Sequence, residues 1–317
     1  MLADFWFNHF NVYLDKGLDR ILVTSYERDA IRPHVLGKFR DLLDATAKSP
    51  AMLFYLDNWQ SVGPDAARIG AKRRRGLNEN YGRELLELHT LGVDGGYTQK
   101  DVTEVARCFT GWTIEQPLRG ARFVFNPRFH DQGEKMVLGV RIRAGGGVGD
   151  GEKVLDIVAR HPSTARFISR TLAMRFVADD PPESLVEHMA ATFRATDGDL
   201  RAVMKTMLES KEFWSEGAYR SKMKSPLEMV ASAVRASGAD VDFATALANQ
   251  VAQMGEPLYR KQEPTGYSNS SQEWVNSAGL MARMNFASGL AENQVPGVKT
   301  EKPLEAAFLG APEFQRH

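Results

Sequence analysis

Apolar residues recur at helical spacing along nearly the whole chain, and this periodicity restricts the fold more than any other feature. The pattern runs through Phe39, Leu42 and Leu43, then Leu85 and Leu88, then Val102, Val105, Ala106 and Phe109. It resumes at Phe167, Ile168, Leu172 and Phe176, at Leu185, Val186 and Met189, and at Leu200, Val203, Met204, Met207 and Leu208. Side chains three and four positions apart share one face of a helix, so each run predicts a helix that buries one stripe. Thr98 with Asp101 three residues on, Ser163, Asp197 and Ser225-Pro226 are expected to open helices. The exception is the segment 122–142, RFVFNPRFHDQGEKMVLGVRI, which alternates apolar and polar residues and carries turn signals at Asn126-Pro127 and Asp131-Gln132-Gly133. The expected fold is therefore mainly α, a multi-helix orthogonal bundle with one short β-hairpin insertion at about 122–142.

After the hairpin comes GGGVGDG at 145–151. The spacing from Gly146 to Gly151 imitates a phosphate-binding loop, but Glu152 stands where the lysine belongs and Lys153 where Ser or Thr belongs. The segment reads instead as a flexible linker between an N-terminal helical region, 1–144, and a C-terminal one, 145–317, unless the two form one continuous domain.

At 317 residues with 43% apolar side chains, the chain has enough material for one large core or two smaller ones. Lys plus Arg and Asp plus Glu number 40 each, which gives no basic field to hold a nucleic acid. The run Lys72-Arg73-Arg74-Arg75, between Gly70 and Gly76, reads as a solvated loop. Cys108 is the only cysteine, so neither an intramolecular disulfide nor a cysteine-based zinc cluster can form, and its place between Arg107 and Phe109 suits a packed small hydrophobe. No apolar run approaches the ~20 residues of a membrane span, and MLADFWFNHF lacks the basic and leucine-rich parts of a secretion signal.

Chemistry concentrates in three places. On the helix expected from Asn80 to Thr90, Asn80, Arg83, Glu84 and Glu87 share a stripe beside Tyr81, Leu85 and Leu88, with Asn78 just before it. Pairs at i,i+4, Arg83 with Glu87 and Asn80 with Glu84, would make it either a solvated face or one wall of a buried polar site. Glu84 and Glu87 do not match the Glu-x-x-His pattern of di-iron bundles, since Glu87 and Thr90 occupy the histidine places, and no metal site is assigned. His130 and Asp131, with Lys135, are either an acid–base pair over a cleft or an Asx turn with an exposed imidazole. Asn8 and His9, embedded in the aromatic run FWFNHF, need partners if buried, and the stripe could supply them. There is no Gly-x-Ser-x-Gly elbow and no His-Glu-x-x-His motif, which argues against acyl transfer and zinc proteolysis.

The chain resembles a large bacterial family known as domain of unknown function 1800. The resemblance is carried by FWFNHFNV from Phe5, AMLFYLDN from Ala51, NENYGRELLELHTLGVDGGYTQKDV from Asn78, ARCFTGWT from Ala106 and FHDQGEKMVLG from Phe129. HPSTARFISRTLAMRFV from His161, KSPLEMV from Lys224, MGEPLY from Met254 and GYSNSSQEW from Gly266 extend it over nearly the whole chain. It implies a helical, exported or periplasmic bacterial protein, often found beside a second uncharacterised family, 1501, that looks like sulfatases and is a candidate partner. It brings no activity and no cofactor. Relatives usually carry a further N-terminal region, so a start almost on FWFNHF suggests a shortened gene model or a fragment.

Two functional readings follow. In the first, Asn8, His9, Asn78, Asn80, Arg83 and Lys135 bind a ligand on an exported or cell-envelope substrate, and Glu84, Glu87, His130 and Asp131 act on it as acids and bases in a hydrolase-like site. In the alternative, the protein is a non-enzymatic, export-associated binding or scaffold protein whose polar network fixes helix packing.

Overall fold

The computed structural model describes residues 1–64, 76–116, 119–300 and 304–317; the basic run at Lys72 to Arg75 lies outside them. The chain is mainly helical, with short hairpins. Two helix starts form as expected. Thr98 and Asp101 make a reciprocal capping box that opens Gln99–Cys108, and Ser225 and Glu228 make another ahead of Pro226–Ala236. Two others shift. Asp199, not Asp197, accepts the Ala202 N–H at 3.0 Å, because Asp197 sits in a left-handed turn with φ +50°. At Pro162–Phe176 the His161 ring, not Ser163, takes the free N–H.

The single expected hairpin is two. Trp112–Glu115 pairs antiparallel with Arg122–Phe125, and Lys135–Val137 with Val140–Ile142; a third short pair joins Asp240–Val241 to Val298–Lys299. Two short alternating runs merged in the sequence because Asn126 to Glu134, which looks like a hairpin turn, is a longer connection. The second hairpin turns through Leu138 and Gly139, both at positive φ, the backbone that a tight two-residue hairpin turn demands.

Contacts divide the chain into two compact units. The first comprises Met1–Arg170, Val186–Met207 and Gln262–Gly266; the second comprises Thr171–Leu185, Leu208–Lys261 and Tyr267–His317. The first buries Phe39, Leu42, Leu43, Leu85, Val102, Val105, Ala106 and Phe109, which stand at the apolar helical spacings, together with Trp6, Phe10, Trp112 and Leu155. The second closes around Met229, Val230, Ala233, Val251, Phe286, Ala287 and Leu290. No described helix is long and apolar enough to cross a membrane.

Two helices of the first unit widen into π turns: Asp19–Ser25 runs on through Tyr26–Ile31, and Asn80–Glu84 through Leu85–Thr90. The Leu91 N–H reaches back five residues to the Leu86 carbonyl at 2.9 Å. Such a turn holds more residues than an α turn, so side chains beyond Glu84 rotate out of the 3.6-residue register.

Candidate functional site

The candidate residues fall into separate groups within the first unit, each held by its own partners. The group below the second hairpin is closed. His130 Nδ1 lies 2.8 Å from the Thr110 carbonyl oxygen, and Nε2 lies 3.0 Å from Asp150 Oδ2. The Thr110 hydroxyl donates to the Arg107 carbonyl at 2.7 Å and accepts the Asp131 N–H at 2.8 Å. Lys135 Nζ donates to Asp150 Oδ2 at 2.6 Å and also to the Asp131 carbonyl. Arg107 Nε donates to Asp131 Oδ2 at 2.8 Å, and its NH1 to Glu104 Oε1 at 2.7 Å. Burial works against ionisation of Asp131, yet the Arg107 guanidinium and the Gly133 N–H hold its carboxyl below the usual aspartate range. The His130, Lys135 and Asp150 side chains are all buried.

Glycines let this group pack. A Cβ on Gly146 would stand 2.0 Å from Asp150 Oδ1, so the glycine-rich segment closes over a buried carboxylate, and Asp150 lies in the first turn of the helix Gly149–Ala159. Asp150 was invisible as a site residue because it sits among glycines that suggested a linker.

The second group is more open. Glu84 is half-buried; burial, reinforced by the charge of Glu87, pushes its carboxyl up to about 6, against a smaller opposing effect of Arg83. The expected i,i+4 pairs do not form. Arg83 NH2 instead donates to Gln99 Oε1 at 2.9 Å and lies 3.8 Å from Glu79, while Glu87 accepts the Tyr97 hydroxyl at 3.2 Å. The π turn at Leu85 accounts for the missing Arg83–Glu87 pair, since it carries Glu87 around the axis away from Arg83. Asn80 is exposed, its amide 3.4 Å from the Leu56 carbonyl, and Asn78 donates to the Asp57 carbonyl at 3.2 Å.

Those asparagines lead to residues that sequence reasoning missed. Tyr55 ends the helix Pro50–Tyr55; its hydroxyl donates to the Gln262 carbonyl at 2.7 Å, and Asn11 is its side-chain partner. Burial, together with the charges of Glu84, Glu263 and Asp19, raises the phenol well above its usual value. Asp19, the first residue of its helix, is 0% exposed, and neither carboxylate oxygen has a hydrogen-bond partner. Burial pushes its carboxyl up to about 8; Lys16 opposes this and Asp57 adds to it. Lys16 is occupied, pairing with Asp57 Oδ2 at 2.8 Å and donating to the Tyr55 carbonyl. An acidic residue at a helix start normally reads as a partner of the helix dipole, so nothing in LDRILV marks Asp19 as buried and unmatched.

Asn8 and His9 form a third group. Asn8 lies under Gly266, whose Cβ, if present, would meet the Asn8 carbonyl oxygen at 2.2 Å. His9 Nε2 donates to the His89 carbonyl at 3.0 Å, and His89 Nε2 is buried without a partner. Burial lowers His9 to about 4, partly offset by that hydrogen bond, and lowers His89 to about 3, with the charge of His9 adding to the effect. Both rings are neutral members of the aromatic core around Phe5, Trp6 and Phe10. Cys108 is buried, and burial pushes its thiol up to about 12, which removes it as a nucleophile.

A groove of about 620 Å³ elsewhere on this unit is walled by Arg40, Asp44, Lys48, Glu152 and Asp156. Its cations are matched by ion pairs: Arg40 with Asp156 at 2.8 Å, and Lys48 with Asp44 at 2.9 Å and Glu152 at 3.1 Å. Among the described residues, no group of three or more His, Cys, Asp or Glu side chains is arranged to hold a metal ion.

Searches of curated proteins and of solved structures returned no match. The family described as "Protein of unknown function (DUF1800)" matches residues 1–315, which carry both groups. The chain belongs to the DUF1800 family.

Proposed function

We propose that the first unit carries a hydrolase-like ligand site centred on Tyr55 and Glu84. The observation that carries this reading is Asp19, whose carboxyl is buried with both oxygens unmatched; Glu84 is a second carboxyl that burial favours in its protonated form, and the charges of both act on the Tyr55 phenol. Burying a polar group without a partner costs on the order of 1–3 kcal/mol, and acids shifted toward neutrality concentrate at functional sites. Glu84, half-exposed, serves as the proton donor to a leaving oxygen, and Glu87 is the second carboxyl of the pair. Arg83, Asn78 and Asn80 line the solvent side, where guanidinium and amide groups suit an anionic or sugar-like ligand. Asp19, which has no hydrogen bond to Tyr55, acts on the phenol only through its charge. An exported or cell-envelope substrate, and a sulfatase-like partner, belong to the same proposal.

Turnover of a panel of nitrophenyl glycosides and esters tests it. The expected result is hydrolysis of at least one substrate, reduced about 10²–10⁴-fold in Glu84→Gln with an unchanged melting temperature. An unchanged rate in that variant removes Glu84 from the chemistry. A wild-type protein that neither turns over nor is thermally stabilised by any of these compounds supports the scaffold reading. That second reading draws on the enclosed His130–Asp150–Lys135 group, which has the character of a structural network. In it, His130, Asp131 and Lys135 hold the hairpin and do not touch a ligand.

A further inference from the structure

In the second unit, residues 315–317 run alongside residues 222–224. Met223 and Arg316 face each other across an antiparallel bridge, the Lys224 N–H reaches the Gln315 carbonyl at 2.8 Å, and the His317 N–H reaches the Lys222 carbonyl at 2.9 Å. Residues directly opposite in such a pair put their side chains on one face, and this face borders a recess of about 210 Å³. Met223, Val275, Leu280 and Pro312 supply its apolar sides, and Val275 is still 52% and Leu280 40% exposed, so the fold leaves apolar area there uncovered.

The recess also has polar walls, and the fold engages all but one of them. Ser221 donates its hydroxyl to the Val177 carbonyl at 2.9 Å, and Ser271 donates to Asp179 Oδ1 at 3.3 Å while accepting the Met223 N–H at 2.9 Å. The Gln315 amide donates to the Leu309 carbonyl and accepts from Arg283, both at 2.8 Å. The neighbouring cations are committed as well: Lys222 pairs with Asp179, and Lys224 donates to the Phe314 carbonyl and lies over the Phe314 ring. Arg316 is the exception. It carries the only charge among the described residues that line the recess, and among them its guanidinium has neither a hydrogen-bond nor an ion-pair partner. We infer that the recess binds a short aliphatic carboxylate, with Arg316 holding the carboxylate and Met223, Val275 and Leu280 covering the chain. The planar fork of a guanidinium matches a carboxylate through two parallel hydrogen bonds. The Ser221 and Ser271 protons are already spent within the fold, which leaves Arg316 to select the head of the ligand. At this volume the recess is smaller than the roughly 300–1,000 Å³ of sites for drug-sized ligands, which limits the occupant to a short chain. The site lies wholly within the second unit and needs no role for Tyr55 or Glu84.

The same chemistry occurs in a free short-chain fatty acid and at the C-terminus of a peptide that ends in an apolar residue; hexanoate and N-acetylleucine stand for the two. NMR of the full chain, labelled at its methionine, valine and leucine methyl groups and titrated separately with hexanoate, N-acetylleucine, hexanol and hexylamine, tests the site. The expected result is saturable shifts at Met223, Val275 and Leu280 with at least one of the two carboxylates, and the one that responds names the source. Hexanol and hexylamine should bind at least about 10-fold more weakly, and Arg316→Gln should weaken the responding carboxylate by a similar factor, as expected for loss of a charge-assisted pair. Arg316 is exposed, so the variant should keep the wild-type melting temperature, and Arg316→Lys should recover part of the affinity. No shift with either carboxylate overturns the proposal. Hexanol binding as tightly as the responding carboxylate, or binding unchanged in Arg316→Gln, overturns it too, because the guanidinium would then not select the head.

Discussion

Two clusters of buried ionisable groups in the first unit follow opposite rules. Under the second hairpin, His130 and Lys135 share one oxygen of Asp150, and Arg107 grips Asp131. Around Tyr55, Asp19 has no partner for either oxygen, and Glu84 is shifted by burial and by Glu87. The first arrangement is what a fold needs to bury charge, since each charge has a partner close by. The second destabilises the fold, and groups of that kind are found where a site must bind or move a proton. The difference separates a structural network from a candidate site without reference to any known activity.

The sharpest way to break this contrast is to unmatch the matched cluster. Asp150→Asn leaves Lys135 and His130 without their anion, and urea unfolding should show a loss of about 3–5 kcal/mol. A loss below about 1 kcal/mol would mean that the cluster is more hydrated than its burial indicates.

The corresponding change at the other cluster should act in the opposite direction. Asp19 has a folded-state value of about 8 against 3.8 unfolded, so its contribution is fully present below pH 3.8 and is lost as pH rises through about 8. Above pH 6.5 the buried histidines no longer contribute, and between pH 6.5 and 8 the wild type should lose about 2 kcal/mol that Asp19→Asn does not lose. His9 and His89 have the reverse sign: their folded values, about 4 and about 3, lie below the usual 6.5, so stability falls as pH drops below 6.5. His89→Leu should reduce that acid loss by up to about 1.4 kcal/mol per pH unit, measured by urea midpoints from pH 6.5 to 5. The smallest effect belongs to Arg83→Met. With its guanidinium 40% exposed and its partners also near solvent, the change should cost less than about 1 kcal/mol in the same assay. A larger cost would assign Arg83 to the fold and not to a ligand.

The helical class was legible because Phe39, Leu42, Leu43, Val102 and Val105 obey a period of 3.6 and all point into the core. Placement along the Asn80 helix was less so, because the π turn after Glu84 breaks that period without any marker in LLELHT. His130, Asp131 and Lys135 were visible as a polar cluster, but their partners Arg107, Thr110 and Asp150 come from a distant helix, a turn and the first turn of the helix that follows the glycines. Asp19 and Tyr55 depend entirely on tertiary burial, which residue type and spacing do not encode. An aspartate at a helix start looks the same whether it is solvated or sealed.

Carboxyl-carbon NMR with labelled aspartate and glutamate, titrated from pH 3 to 9, tests the contrast most directly. The expected spectrum has one carboxyl titrating near 6 that disappears in Glu84→Gln and one near 8 that disappears in Asp19→Asn, while Asp131 titrates below the usual aspartate value. If every carboxyl were to titrate below about 5, both clusters would be equally well matched and the candidate site around Tyr55 would be lost.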